Sequence, residues 1–141
     1  RGSFRTVPAI GQPLSEALRY VEQHSAPGEA VLTLPLATTI NFLAERPYPL
    51  REEIVHPGFL TGANELDAIE RIQARDVRLI LLANLDTSEF RDRAFGLDYN
   101  QQLWRWIEAH YQLVARFDSA ASRGAKLGEQ PFFILAYERR P

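Results

Sequence analysis

Glu29-Ala-Val-Leu-Thr-Leu-Pro-Leu-Ala-Thr-Thr-Ile-Asn-Phe-Leu-Ala-Glu-Arg-Pro-Tyr-Pro-Leu-Arg51 is the stretch of sequence that decides the fold. Its first part, residues 30–34, is a short apolar run that predicts a buried strand, and Pro35 ends that strand. Apolar residues then recur at helical spacing over residues 37–45, and Pro47 stops the helix. The stretch therefore predicts a strand, a turn, a helix and a basic loop stiffened by prolines.

The rest of the chain alternates helical and strand patterns around this stretch. The spacing of apolar residues predicts helices from Pro13 to just before Pro27, over residues 64–75 and over residues 99–110. Strands are predicted over residues 77–83, 112–118 and 132–138, and an edge strand within residues 49–55. These elements indicate an α/β fold: a three-layer, Rossmann-like sandwich on a mostly parallel sheet of about five strands, with an antiparallel C-terminal hairpin.

Helical spacing also predicts which face of two of these helices is buried. Leu66, Ile69 and Ile72 form the apolar stripe of the helix over residues 64–75. In the last helix Trp104 falls within the stripe, whereas Trp106 lies roughly 115° from its centre, at the edge of the buried face. Trp106 is therefore expected to close the core, or else to offer a stacking platform for a sugar or a contact with another domain or a membrane surface.

Composition is that of one globular domain. The 141 residues are 45% hydrophobic, and we expect residues 1–11 to be a linker or tail and residues 12–141 to form a single domain. A net charge of -2 gives no electrostatic reason to expect a nucleic-acid partner. The sequence has no cysteine and no apolar run near the ~20 residues of a membrane span. Because it lacks methionine and opens Arg-Gly-Ser, we expect it to be a piece of a longer polypeptide.

The sequence lacks the common motifs that identify an enzymatic reaction. The sequence has no nucleophile elbow, no glycine-rich phosphate loop, no H-E-x-x-H and no calcium loop, and we expect neither a cofactor nor a metal. His24, His56 and His110 are far apart without ligand spacing, and two of them lie near predicted helix C-termini, where a structural role is expected.

Topology suggests where a ligand would bind. Proteins with parallel sheets bind ligands in the loops that follow the carboxyl ends of the strands. In this sequence those loops lie near Thr38 and Asn84. Thr38 and Thr39 could donate hydroxyl groups there, and Asn84 and Asp86 could hold sugar hydroxyls or a cation. The alternative interpretation is that the threonines cap a helix and that Asp86-Thr87-Ser88 forms an Asx turn.

Arg46 and Arg51 are the other candidates for binding. Prolines restrict the backbone between them, so two guanidinium groups on a stiff loop could hold an anion. Ion pairs with Glu45, Glu52 or Glu53 would explain these arginines equally well.

The chain resembles a known family over residues 38–51 and 106–117. Thr-Thr-Ile-Asn-Phe-Leu-Ala-Glu-Arg-Pro-Tyr-Pro-Leu-Arg and Trp-Ile-Glu-Ala-His-Tyr-Gln-Leu-Val-Ala-Arg-Phe are similar to the soluble C-terminal domain of bacterial membrane glycosyltransferases. These enzymes are of the dolichyl-phosphate-mannose-protein mannosyltransferase type, which includes the aminoarabinose transferases. In the order of its elements, the resemblance covers about residues 13–139.

The resemblance implies a parent protein with many membrane helices, which moves a sugar from a polyprenyl-phosphate carrier to an acceptor. Transfer would take place on the extracytoplasmic (periplasmic) face of the cytoplasmic membrane. The family's catalytic acidic residues lie in its membrane portion, so none is carried over, and Asn41, Arg46, Pro49 and Arg51 match family-like positions without a known role. The implied partners are the membrane-embedded part of the same polypeptide and a glycan or lipid-linked acceptor.

Three hypotheses of function follow. The first is a non-catalytic accessory domain of such a transferase, and the second is a stand-alone α/β domain that binds a small ligand, a sugar or an anion. The third is an enzyme with its site at the edge formed by Asn84 and Asp86. The candidate ligand-binding residues are Thr38, Thr39, Asn41, Arg46, Arg51, Asn84, Asp86 and Trp106.

Overall fold

The computed structural model describes residues 6–36, 38–91 and 94–141. The elements are, in chain order, α1 (Pro8–His24), β1 (Val31–Leu34), α2 (Thr38–Ala44), α3 (Ala63–Ala74), β2 (Leu79–Ala83), a 3₁₀ turn (Ser88–Phe90), α4 (Gln101–His110), β3 (Tyr111–Asp118) and β4 (Phe133–Arg139).

The first helix starts earlier than predicted, because Pro8 and not Pro13 occupies its first turn. The predicted linker therefore contributes residues 8–11 to α1, and its residues 1–5 lie outside the described part of the chain.

The sheet has the strand order β1-β2-β4-β3. Strands β1 and β2 are parallel, whereas β4 is antiparallel to both β2 and β3. The α/β class, the interior position of β2 and the antiparallel C-terminal hairpin are confirmed, but the prediction of a mostly parallel sheet is wrong. The connection over residues 119–132 contains no helix, so β4 returns antiparallel and enters the sheet between β2 and β3.

The described residues contain four strands, and the edge strand expected within residues 49–55 does not form. Pro47 and Pro49 have no amide hydrogen to give to a ladder, so this segment cannot pair regularly with β1. Two separate backbone bonds attach it instead: Val31 N donates to Pro47 O over 3.0 Å, and Val55 N donates to Pro35 O over 2.8 Å.

Helices cover both faces of the sheet, which is why β1 and β2 are buried along their whole length. Alternate strand residues point to opposite faces and so belong to different hydrophobic clusters. One cluster joins α1 and α2 to Val31, Leu79 and Leu81, and the other joins α3 and α4 to Leu32 and Ile80.

The C-termini of α1, α3 and α4 gather around the end of β4. Tyr20 Oη donates to Glu138 Oε1 over 2.8 Å, Asp76 forms an ion pair with Arg139, and α4 runs directly into Tyr111, the partner of Arg139 across the sheet. The N-termini of these helices consequently lie at the opposite end, where β1 and β2 finish at Leu34 and Ala83. We call this end of the molecule the loop end.

A buried carboxylate joins α3 to α4. Glu65, whose exposed fraction is 9%, accepts a hydrogen bond from Leu103 N over 2.8 Å through Oε2 and so satisfies a free amide in the first turn of α4. Of the predicted stripe, Ile72 is buried and Ile69 packs against the core, whereas Leu66 is exposed and its place is taken by Glu65.

Replacing Glu65 by alanine should lower the free energy of unfolding by about 1–3 kcal/mol, because Leu103 N would remain buried without an acceptor. Chemical denaturation measures the change. Glu65→Gln keeps an acceptor oxygen and should lose less, and Glu70→Ala, on an exposed position of the same helix, should change stability by under about 0.5 kcal/mol. Equal losses for Glu65→Ala and Glu70→Ala would contradict this role.

Candidate functional site

The structure brings four of the eight candidate residues together. Thr38, Thr39, Asn41 and Arg46 line a shallow groove of about 720 Å³ beside α2, together with Tyr48, Glu53 and their neighbours. The two threonines begin α2, and Thr39 is exposed. The other four candidates lie elsewhere, so the eight do not form a single site.

Asn41 is occupied by bonds within the protein. Its Oδ1 accepts from Thr33 Oγ1 over 2.6 Å, and its Nδ2 donates to Val31 O over 2.8 Å and to Arg46 O over 3.2 Å. The side chain is 6% exposed and connects β1, α2 and the loop that follows α2. A ligand would have to break these buried bonds, so ligand binding by Asn41 stays a prediction without support from the geometry.

Arg46 is likewise turned inward, with 8% of its surface exposed. Its Nε donates to Ser25 Oγ over 2.8 Å, its Nη2 to Ser25 O over 2.8 Å and its Nη1 to Ala44 O over 2.5 Å. These acceptors are neutral, and neither the predicted anion nor the alternative ion pair with Glu45 is needed to explain the residue. The guanidinium instead ties the C-terminus of α1 to that of α2.

The charges around this groove do not favour an anion. Glu45 and Glu53 line it, and burial, with smaller contributions from Glu52 and Glu53, raises the pKa of Tyr48 well above its usual range. The phenol therefore stays protonated at neutral pH and cannot act as a base. Tyr48 Oη and Glu52 Oε2 are buried, and neither has a hydrogen-bond partner within the part of the chain that is described.

Arg51 is exposed and does not line this groove. It lies close enough to α3 to add to the lowering of the Asp67 pKa, which comes mainly from a hydrogen bond with Arg71. The two arginines of the proline loop thus face different surroundings.

Asn84 holds the long loop after β3 against the end of β2. Its Nδ2 donates to Glu129 O over 2.6 Å and to Pro131 O over 3.3 Å, and its Oδ1 accepts from Gly128 N over 2.8 Å. Asn84 is buried, so its amide is a scaffold group at the loop end.

Asp86 forms the Asx turn that was the alternative interpretation. Its Oδ1 accepts from Ser88 N over 2.9 Å, and the hydrogen bonds from the hydroxyl and the amide of Ser88 lower the pKa of Asp86. The carboxylate is exposed and ionised at neutral pH.

Trp106 lies at the other end of the sheet, near the start of β3. It is partly buried against the core and stacks on His110 with ring centroids 4.7 Å apart, which confirms its predicted position at the edge of the buried face. His110 Nδ1 also bonds to Trp106 O over 2.8 Å, and His24 makes the same bond to Tyr20 O at the end of α1. Both histidines are thus built into helix C-termini, as expected.

Two classes of feature are missing from the described residues. Within residues 6–36, 38–91 and 94–141, no three acidic, histidine or cysteine side chains are grouped so that they could hold a metal ion. No helix in these ranges is both long enough and apolar enough to cross a bilayer.

Sequence reasoning missed the exposed apolar side chains. Among the described residues, seven of the ten exposed large hydrophobic side chains lie at the loop end, and these are Val7, Ile10, Leu36, Ile54, Phe59, Leu66 and Leu97. Phe42 on α2 is 81% exposed, and the last two lie on β3. The signal for Phe42 was present, because at about 100° per residue it falls outside the buried stripe of Ile40 and Ala44.

Comparison with known proteins gives one solved structure. The crystal structure of the C-terminal globular domain of an oligosaccharyltransferase from Archaeoglobus fulgidus is similar to this chain with a TM-score of 0.45 and 12% identity, covering 98% of this chain and 100% of that one. No protein-family model matches the chain, and no curated protein matches it. Likeness at this level assigns no role to any residue.

Asn41→Ala should lower the free energy of unfolding by about 2–4 kcal/mol, because the hydroxyl of Thr33 and the carbonyl of Val31 would lose their buried partner. Denaturant titration measures this loss. The exposed Thr39, on the same helix, serves as the control, and Thr39→Ala should change stability by under about 0.5 kcal/mol. An Asn41→Ala variant as stable as the parent chain would show that this amide is not structural.

The stability of the fold should depend on pH through the carboxylate of Asp118. Hydrogen bonds from Arg116 and Ser122 lower its pKa from 3.8, so its charged form stabilises the fold above that pH and this contribution is lost as the pH falls through the lowered value. In thermal melts, Asp118→Asn should therefore be less stable than the parent chain at about pH 6, and the gap should narrow in acid. The exposed Glu70→Gln is the control, and a gap that stays constant with pH would refute the prediction.

Proposed function

We propose that this chain is an extracytoplasmic accessory domain of a polyprenyl-phosphate-sugar-dependent membrane glycosyltransferase. In this proposal the domain catalyses nothing by itself and packs on the membrane-embedded part of the same polypeptide, on the periplasmic side, where it helps to position the acceptor. The resemblance of residues 38–51 and 106–117 to such domains supports the class of parent protein.

One observation carries the proposal: most of the exposed large hydrophobic side chains lie at one end of the molecule. Seven exposed large hydrophobic side chains lie at the loop end. At the opposite end the surface is charged, with Asp76, Arg78, Glu138, Arg139 and Arg140 lining one depression. An exposed apolar patch formed by such side chains is typical of surfaces that pack against another protein or a membrane, and the proposal is that these seven form one.

The path of the chain agrees with this orientation. Thr6 and Val7 precede α1 and lie at the loop end. A membrane portion preceding residue 6 would therefore join the domain at its apolar end and leave the charged end in water.

The two alternatives have less support. A sugar- or anion-binding domain would need free polar groups, whereas Asn41, Arg46 and Asn84 already bond within the protein. An enzyme at the edge formed by Asn84 and Asp86 would have to use an amide whose hydrogen bonds are already made within the protein and an exposed carboxylate that is held in a turn.

The test uses the full-length polypeptide in membrane vesicles, with sugar transfer from a polyprenyl-phosphate donor as the readout. The double variant Phe59→Ser with Leu66→Ser removes two exposed apolar side chains at the loop end and should lower transfer at least about tenfold. Because both side chains are exposed, the thermal midpoint of the 141-residue domain should hardly change.

Leu113→Ser is the matched control, since Leu113 is equally exposed but lies on β3, away from the loop end. It should leave transfer unchanged. Transfer that survives the double variant, or a full-length polypeptide without membrane spans, would overturn the proposal.

A further inference from the structure

A groove of about 960 Å³ runs between α1 and α2. Its apolar part is built by Leu14, Leu18, Ile40 and Leu43, and Phe42 stands at its rim with 81% of its surface exposed. The partial exposure of Leu14, Leu18 and Leu43 leaves an apolar surface that no described residue covers.

The groove is acidic at one end. Among its described lining residues Glu22 and Glu45 are the only charged ones. They lie at the same end, because the contacts of Arg46 with Ser25 bring the residue after Glu45 to the C-terminus of α1. The other end is formed by Thr6, Pro8 and Gly11 and opens toward the loop end.

Its length suits a helix. The lining residues of α1 extend from Pro8 to Glu22, which at 1.5 Å per residue is roughly 20 Å, or about four helical turns. Leu18, the last apolar lining residue of α1, and Glu22 are roughly 6 Å apart along the helix axis by the same measure. A partner that fills the groove thus needs an apolar face followed, about one turn further on, by positive charge.

We propose that this groove is the docking site for an amphipathic helix whose apolar face ends in lysine or arginine. The apolar face packs on Leu14, Leu18 and Leu43 under the rim residue Phe42, and the basic residues pair with Glu22 and Glu45. The inference rests on the proposed function only in the origin of the helix, which would be the membrane-embedded part of the polypeptide.

A lipid surface and a second copy of the chain fit less well. Anionic lipid would be repelled by Glu22 and Glu45, and the groove of a second copy carries the same negative charge. Charge complementarity therefore selects a basic helix.

The experiment titrates the 141-residue chain into two fluorescent 16-residue helical peptides that share one leucine face and end in two lysines or two glutamates. The lysine peptide should bind at least about tenfold tighter at low salt, and the difference should shrink as salt rises. Phe42→Ser should weaken binding of the lysine peptide about tenfold or more, because it removes the exposed aromatic anchor.

Glu22→Gln with Glu45→Gln should bring the two peptides to within about threefold of each other while leaving Phe42 in place. Leu113→Ser is the control for general apolar binding and should change neither affinity. Thermal melts of each variant show that it is folded before it is used.

Equal affinity for the two peptides, or binding unaffected by Phe42→Ser, would overturn the inference. The inference would also be overturned if neither peptide bound and the chain bound neutral lipid vesicles through Phe42. A dimer that is seen in sedimentation and is lost in Phe42→Ser would overturn it as well. Failure of the transfer experiment with Phe59 and Leu66 leaves these peptide results standing, so the two proposals fail separately.

Discussion

The hydrogen bonds of the Asn41 carboxamide are the interaction on which the arrangement of strand, helix and proline loop depends. One side chain accepts from Thr33 and donates to the carbonyls of Val31 and Arg46, all within the protein interior. Asparagine suits this position because a carboxamide offers an acceptor and two donors on one rigid group. Arg46 extends the same network to Ser25 at the end of α1, so β1 and both helices on its face are fixed together.

Local patterns predicted most of the elements, whereas long-range contacts decided the rest. Apolar periodicity located the four strands to within a residue or two. It could not predict that β4 inserts between β2 and β3, because the length of the loop over residues 119–132 does not determine which strand β4 pairs with. Helical spacing placed Leu66 in the core and missed Glu65, one residue away. Glu65 is buried because the first turn of α4 needs an acceptor for Leu103 N, and Leu103 is distant from Glu65 in sequence.

The candidate site shows a similar division. Sequence reasoning found Asn84 at a strand end, Arg46 in the proline loop and Asn41 through the family resemblance, and the structure uses all three to bond its own backbone. Loops at strand ends have many unpaired carbonyls and amides, so the side chains nearest to them are engaged first. The side chains that stand out on the surface are apolar, and a pattern that assigns apolar residues to the core does not reveal them.

The position of β4 has a consequence for how the domain comes to be folded. Phe133–Arg139 is the last of the four described strands in chain order, and it joins the parallel pair to β3. During synthesis the residues up to the end of β2 can form helices and the β1–β2 pair, but the sheet stays in two separate pieces until residues 133–139 emerge. The appearance of residues 133–139, rather than any earlier event, therefore sets the moment at which this domain can become native.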